Sequence, residues 1–387
     1  MKTHYIYNSY KELPESWKHI TEHDVFLQPN YFAALEDASP ENIQFFYVGI
    51  FKNDVLVGVA VVQRVQLYLK DMFRKTEVSC FREAFKSLVS KIVRGNILVV
   101  GNMMHTGQHG VFYDTNSISQ SEYLKIVFDA LNTLKINIKT TQKKTIRAIM
   151  LKDFFEADAI HESKAFFLSH KLHHVYVQPN MTMRVNPNWL TIEDYLASLK
   201  KKYKNRYKRA KKKLGVITCT ELDLKTVEVH SERLHQLYLN VSNNAKFNTF
   251  VLPQNHFYNL KLQLKESFKV FGYYLDNELI GFYTLILNGD DLETYFLGYD
   301  TLHQYPNQLY LNMLYDMVKF AIENKFSNIV YARTAMEIKS SVGAKPEPMS
   351  VYIKHTNGFV NAVLKQIFKL MHPKQDWEER HTFNSSY

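Results

Sequence analysis

Two distant stretches of the chain share one pattern of apolar and polar positions. YVGIF-KND-VLVGVAVV runs from Tyr47 to Val62, and VFGYY-LDNE-LIGFYTLIL from Val270 to Leu287. In each, two β-branched and aromatic runs flank a short Asn/Asp turn, which predicts a strand, a tight turn and a strand. Glycines stand nine apart in both (Gly49 and Gly58, Gly272 and Gly281), with a Leu two before the second. The order that follows is also repeated. After the first hairpin come an extra segment (69–95), a strand (96–102), a helix (about 120–135) and a strand (145–154). After the second come a strand (292–300), a helix (about 308–325) and a strand (328–335). This repetition predicts a duplicated α/β (α+β) fold, each copy a mixed twisted sheet flanked by helices. The halves are 1–180 and 181–387, joined near 175–190.

The second half opens on a different period. Ile192, Leu196, Leu199, Tyr203, Tyr207, Ala210 and Leu214 recur at steps of three and four, one stripe of a helix over 191–214. Thr191 with Asp194 has the form of a capping box, and Gly215 is a stop signal. Such a helix is roughly 35 Å long. Between Lys200 and Lys213 it carries ten basic residues and no acidic one. Like-charged pairs four apart, such as Lys204/Lys208 and Arg209/Lys213, together cost about 1–2.5 kcal/mol. A helix face kept for solubility alone would intersperse Glu, so Lys204, Arg206, Lys208 and Arg209 are read as anion-binding.

Composition sharpens this picture. The chain has 48 Lys plus Arg against 38 Asp plus Glu, and the ten charges of the run equal the whole excess of +10. The basic character is therefore local, which excludes a polyanion coat over the whole surface. Two cysteines, Cys80 and Cys219, exclude a disulfide framework and a four-thiolate zinc site. The expected setting is cytoplasmic and reducing. Peripheral contact with an anionic inner membrane stays open. No apolar stretch approaches the roughly 20 residues needed to span a bilayer, and the N-terminus lacks the apolar core of a signal peptide. His170, His173 and His174 would cluster on a helix but without a recognisable ligand spacing, so no metal site is expected.

Hairpin, strand, helix, strand in duplicate resembles the tandem acyl-CoA N-acyltransferase (GNAT-like) fold, in its two-domain, Fem-type peptidoglycan-bridge-transferase branch. TIEDYLASLKKKYKNRYKRAKKKLG resembles that branch's Lys/Arg-rich helix at the entrance of the second domain. The stretch Tyr295 to Lys325 resembles its core, and ARTAMEIKSSVGAKPEPMSVYIKHTN its Phe-Lys pair followed by glycine, here Ile338-Lys339 and Gly343. The resemblance implies an acyltransferase moving an acyl or aminoacyl group from a thioester or tRNA donor to an amine acceptor. The acceptor would be anionic, a cell-envelope or lipid precursor. The donor would be acyl-CoA, an acyl carrier protein or aminoacyl-tRNA, with no tightly bound cofactor. The alternative is a non-enzymatic binder of RNA or an anionic membrane on the same scaffold.

The resemblance also implies site residues. Lys339 would stabilise charge on the reacting carbonyl. Glu293 and Tyr295, two apart on one strand face, would serve as general base and proton donor. Arg333, within the strand, and Glu337 flank Lys339 as further catalytic candidates or as an ion pair. Gln304-Tyr-Pro-Asn307-Gln308-Leu309 would form the donor's pyrophosphate cradle, with Asn307 adopting the left-handed conformation usually given to glycine. Asn244, Asn248 and Phe250, with Asn243 and Phe247, form an amide- and aromatic-rich loop expected at the acceptor. Thr106-Gly107-Gln108-His109-Gly110 has the wrong spacing for a cradle and reads as an ordinary loop.

Overall fold

The computed structural model describes residues 2–67, 95–244, 248–371 and 377–384. Nearly all of the extra segment expected at 69–95, together with Cys80 and Phe247, lies outside them. In chain order the strands are β1 (Lys2–Tyr7), β2 (Ile43–Lys52), β3 (Val55–Leu67), β4 (Gly95–Val100), β5 (Val111–Tyr113), β6 (Ile146–Phe155) and β7 (His173–Arg184). Then follow β8 (Thr218–Glu221), β9 (Phe268–Leu275), β10 (Glu278–Asn288), β11 (Asp291–Tyr299), β12 (Asn328–Val330) and β13 (Lys345–His355). The helices that matter below are α1 (Pro29–Asp37), α2 (Gln120–Gln142), α3 (Ile192–Ser198), α4 (Lys201–Leu214) and α5 (Ser231–Asn244). They continue with α6 (His256–Leu264), α7 (Thr301–Asn307), α8 (Leu309–Glu323) and α9 (Met336–Ser340).

The chain forms two compact units. The first comprises Met1–Val177, Lys246–Val251 and Pro348–Gln375. The second comprises Gln178–Ala245, Leu252–Glu347 and Asp376–Tyr387. A single cut at residue 180 does not describe this, because the chain returns to the first unit at Pro348. β13 joins that unit's sheet, pairing antiparallel with β6 over Met349–His355.

Each unit holds one of the repeated hairpins. Asn53 and Asp54 between β2 and β3 have φ of 50° and 64°, and Asp276 and Asn277 between β9 and β10 have φ of 48° and 66°. Paired positive φ is the type I′ signature that Asn and Asp tolerate and that suits the twist of a two-residue hairpin. The register slips at the same place in both. Ile50 faces Gly58 but Phe51 faces Leu56, while Tyr273 faces Gly281 and Tyr274 faces Leu279. One bulged residue before the second glycine, Val57 or Ile280, is thus common to both copies.

In the first unit β1, β2, β3 and β4 pair antiparallel in order, and β4 then runs parallel to β6. The α2 helix between them begins at a Ser119–Glu122 capping box and buries Leu124, Val127, Leu131 and Leu134 against the sheet. The second unit repeats this plan. β9, β10 and β11 pair antiparallel, and β11 runs parallel to β12 through the crossover helix α8. Gly298 on β11 is required there: a Cβ would lie 2.4 Å from the Leu237 carbonyl carbon and 2.5 Å from the Tyr238 nitrogen, both α5 backbone. Gly298→Ala is expected to destabilise by at least about 2 kcal/mol, read from urea unfolding, because backbone on backbone has nowhere to yield.

Three expectations need correction. The helix over 191–214 is two helices, α3 and α4, broken where Leu199 and Lys200 are extended with ψ near 146° and 148°. The apolar stripe runs through the break. What extends the backbone is residues 382–384: the Lys200 N–H donates to the Thr382 carbonyl at 3.0 Å, and the Asn384 N–H to Ser198 at 3.0 Å. The strand expected at 328–335 ends at Val330. His173 and His174 begin β7 instead of sharing a helix with His170, and the described residues contain no cluster of three or more metal-ligating side chains. No helix among the described residues is long and apolar enough to cross a membrane.

Candidate active site

The geometry of the second unit turns on where two parallel strands part. β11 and β12 share three rungs, Asp291–Asn328, Leu292–Ile329 and Glu293–Val330. β12 then stops, while β11 continues to Tyr299. Opposite Tyr295 and Phe296 the β10 ladder is irregular too. There Thr284 Oγ1 accepts from the Phe296 N–H at 3.0 Å and donates to the Phe296 carbonyl at 2.7 Å. Glu293, at the last shared rung, is 6% exposed.

On the β12 side the chain turns through residues 331–335. Ala332, Thr334 and Ala335 have φ of 59°, 66° and 47°. Left-handed backbone costs a non-glycine residue roughly 1–2 kcal/mol, so this turn needs a holder. Lys339 provides it from α9. Its Nζ donates to the carbonyls of Tyr331 at 2.5 Å, Ala332 at 3.3 Å and Arg333 at 2.6 Å. Three acceptors match the three N–H bonds of an ammonium. Lys339 is 5% exposed, and burial pushes its pKa down to about 7, while the carbonyl dipoles pull the other way. Arg333 sits in the turn, not in a strand, and burial lowers its guanidinium to about 10. Glu337 is exposed and pairs with Arg380, which also meets Glu378 at 2.7 Å, so the ion pair expected between Arg333 and Glu337 is replaced by one to Arg380.

On the β11 side Tyr295 meets a partner that the sequence pattern missed. His256, fully buried at the start of α6, places Nε2 3.1 Å from the Tyr295 hydroxyl, with the two rings stacked at 5.8 Å. In sequence His256 looks like one more polar residue before an apolar helix, and no local spacing points 39 residues on to Tyr295.

The donor loop is tied down by its own amides. Gln308 takes the left-handed conformation expected of Asn307, with φ of 52°, while Asn307 ends α7. Gln304 Oε1 accepts from the Tyr310 N–H at 2.9 Å, one of the helix N-terminal donors expected to face a phosphate. Asn307 Nδ2 donates to the Lys213 carbonyl at 3.0 Å, and Asn312 Nδ2 donates to Ala210 at 3.1 Å. The loop is therefore fastened to the last turns of the basic helix.

That helix, α4, buries Tyr203 and Ala210 and packs Tyr207 edge-on to Tyr315 at 4.8 Å. Lys204 and Arg206 are half-buried, and Lys208 and Arg209 are exposed. Lys202, Asn205, Lys208 and Arg209 line a depression of about 490 Å³. Among the described residues the one ion pair of the helix is Lys211 with Asp316, at 2.6 Å. The acceptor candidates are divided between the two units. Asn244 ends α5 and donates to the Asn240 carbonyl at 2.8 Å. Asn248 and Phe250 belong to the first unit, whose Asn42 donates to the neighbouring Thr249 carbonyl at 2.7 Å.

The chain matches no protein-family model and no curated protein sequence. Solved structures do match it. FemX superposes with a TM-score of 0.54 at 12% identity, covering 89% of this chain and 98% of its own. A tandem GNAT protein from the clavulanic acid biosynthesis pathway gives 0.50 at 7% identity, covering 92% and 99%. The C-terminal DUF2156 domain assigned to a lysylphosphatidylglycerol synthetase from Agrobacterium fabrum gives 0.50 at 8%, covering 94% and 98%. Such identities carry the fold alone. The chain has a tandem GNAT-like, Fem-type fold.

Proposed function

We propose that this protein is an acyltransferase that moves an acyl or aminoacyl group from a thioester or tRNA donor to an amine, with the reaction in the second unit. One observation carries the reading: β11 and β12 part at the Glu293–Val330 rung, with Tyr295 and His256 on one arm and the turn pinned by Lys339 on the other. Strained backbone held by a buried cation at the ends of parallel strands is where catalytic sites concentrate. Lys339, aided by Arg333, fixes the turn and supplies positive charge to the developing oxyanion. Glu293 is the base for the amine, and Tyr295, held by His256, protonates the leaving group. Glu337 acts through Arg380 in keeping α9 in place. Gln304, Asn307 and Gln308 order the donor loop, and Lys204, Arg206, Lys208 and Arg209 attract the donor's phosphates. Asn244, Asn248 and Phe250 remain our candidates for the acceptor.

The likeness to FemX and to a lysylphosphatidylglycerol synthetase domain favours an aminoacyl donor and a cell-envelope or lipid acceptor. The clavulanic acid pathway protein favours acetyl-CoA. A thermal-shift panel of acyl-CoA thioesters and aminoacyl-tRNA separates them, since specific binding raises the melting point by mass action. No response to any donor class would overturn the transferase reading. Binding of tRNA without turnover would favour a polyanion-binding protein on this scaffold, located in the cytoplasm or at the inner membrane surface.

The basic helix makes its own prediction. Lys208→Glu with Arg209→Glu should leave stability within about 0.5 kcal/mol, as both side chains are exposed. Affinity for tRNA should fall by about tenfold or more, and its log–log salt slope should lose roughly 0.7–0.9 per phosphate contact removed. Filter binding over a salt series measures both.

A further inference from the structure

The short helix α7 is turned inside out. A surface helix of a globular protein points its apolar side chains at the core and its polar ones at water. In α7 three polar residues face the protein: His303, Gln304 and Asn307 are half-buried, with Gln304 Oε1 on the Tyr310 N–H and Asn307 Nδ2 on the Lys213 carbonyl. Its apolar residues face out. Leu302 is 76% exposed and Tyr305 83%, and Pro306 is exposed next to them. Leu302 and Tyr305 stand three apart, which puts them on one side of the helix. Single exposed apolar residues are ordinary, but a helix that buries its amides and presents its Leu and Tyr marks a contact surface.

The bond from Asn307 to Lys213 fastens this surface to the last turn of α4, and a third apolar residue lies just beyond. Gly215, with φ of 63°, ends α4 as its N–H donates to the Lys211 carbonyl at 3.4 Å. The turn leaves Val216 81% exposed between that glycine and the buried Ile217. Lys212 and Lys213, in the same last turn, are exposed. Residues 195–220 and 301–315 contain no Asp or Glu. The aspartates that bound the second stretch are engaged. Asp300 accepts from the Leu302 N–H at 2.9 Å and pairs with Arg233 at 3.4 Å, and Asp316 pairs with Lys211 at 2.6 Å. One end of α4 therefore joins exposed cations to outward apolar side chains, the composition of an element that lies in a membrane interface.

We propose that α7 and the carboxyl-terminal end of α4 form a docking face for an anionic lipid bilayer, with Leu302, Tyr305 and Val216 entering the headgroup layer and Lys212 and Lys213 meeting lipid phosphates. Charge complementarity selects this occupant. A second copy of the chain would set two like-charged faces together, which opposes association. RNA would satisfy the lysines, but Leu302 and Val216 offer it neither a stacking surface nor a hydrogen bond.

A bilayer takes both parts. Aliphatic side chains enter the acyl boundary, and a tyrosine suits the headgroup level, its ring inward and its hydroxyl in water. Three apolar side chains or two lysines alone hold a protein weakly; together they give docking that is reversible and weakened by salt. Helix α7 runs directly into Gln308, so docking sets the loop 304–309 at the lipid surface. The docking itself does not depend on the transferase reading.

The test floats the full chain with vesicles of phosphatidylcholine alone and of phosphatidylcholine mixed with phosphatidylglycerol, at low and high salt. Binding to the mixed vesicles is expected at low salt, and at least about tenfold less to the neutral ones or at high salt. Leu302→Ser with Tyr305→Ser should weaken it by about tenfold or more. Lys212→Gln with Lys213→Gln should weaken it roughly 25-fold, at about fivefold per lysine. Should the α7 variant lose its circular dichroism, Val216→Ser replaces it, with a loss of about threefold. Tyr305→Trp should shift its emission to the blue on the mixed vesicles, as an indole leaving water does. Equal binding to both vesicle types, undiminished binding in a folded α7 variant, or no blue shift would each overturn the proposal. So would a loss of tRNA retention in the α7 variant as large as its loss of vesicle binding, which would assign the face to RNA, or a dimer in solution that the variant abolishes. The readout is lipid binding, so a failure of the transferase reading leaves it standing, and the reverse.

Discussion

Replacing Lys339 by Met is expected to destabilise the second unit by about 3–5 kcal/mol and to abolish transfer. The substitution keeps the length of the stem but removes three donors at once. The carbonyls of Tyr331 and Arg333 lose the ammonium that satisfies them, while that of Ala332 keeps the Met181 N–H at 3.2 Å, and each buried acceptor left unpaired costs about 1–3 kcal/mol. The three left-handed residues of the turn lose their holder in the same step. Urea unfolding gives the stability change, and turnover by the folded fraction gives the chemical one. Full turnover by that fraction would reduce Lys339 to a structural clamp. A pH series separates the charge from the packing. The folded-state pKa of Lys339 is lowered from 10.5 to about 7. Between these values the unfolded chain binds the extra proton, so wild-type stability rises with pH through that window. Below about pH 7 both states hold the proton and the slope vanishes. The Met variant should lack the rise, and equal slopes in both proteins would mean that the carbonyls hold the Lys339 proton against burial.

The hairpins were legible because their cues are local. Asn53-Asp54 and Asp276-Asn277 name the turn, and alternation on either side names the strands. The crossover helices and their strands were legible for the same reason. What the pattern missed lies far apart in sequence. The break at Leu199–Lys200 comes from residues 382–384, and no step in the apolar stripe marks it. Strand β13 was not among the elements read from the sequence, and alternation would not say which sheet it joins, so its return to the first unit was hidden. At the candidate site Lys339 stood out through a family likeness, but its carbonyl partners and the strained turn did not, since positive φ at Ala332 and Ala335 leaves no mark in residue type. The pairing of Glu337 with Arg380 rather than Arg333 spans 43 residues. The segment 106–110 is a loop, as its spacing indicated; what the spacing could not show is that His109 meets Asp24 across 85 residues and the preceding His105 meets Tyr31 across 74.

Tyr295→Phe is expected to lower kcat by about a hundred- to ten-thousandfold, the usual worth of a positioned proton donor, while changing stability by only about 1 kcal/mol. The ring stays, and with it the stacking on His256 and the edge contact with Phe296 at 4.5 Å. Only the hydroxyl is lost. KM should change little, since the proton is given up in the transition state rather than in the bound ground state. His256→Gln should reproduce part of the effect, because an amide can still hold the hydroxyl but cannot exchange a proton with it. The leaving group supplies the sharpest comparison. A donor with a more acidic leaving group needs no protonation, so it should restore most of the rate in Tyr295→Phe and little in Lys339→Met, which acts on the carbonyl oxygen instead. Equal rescue of both variants would show that the two arms of the parted strands do not divide the work in this way, and no rescue of Tyr295→Phe would leave its hydroxyl as a packing partner of His256.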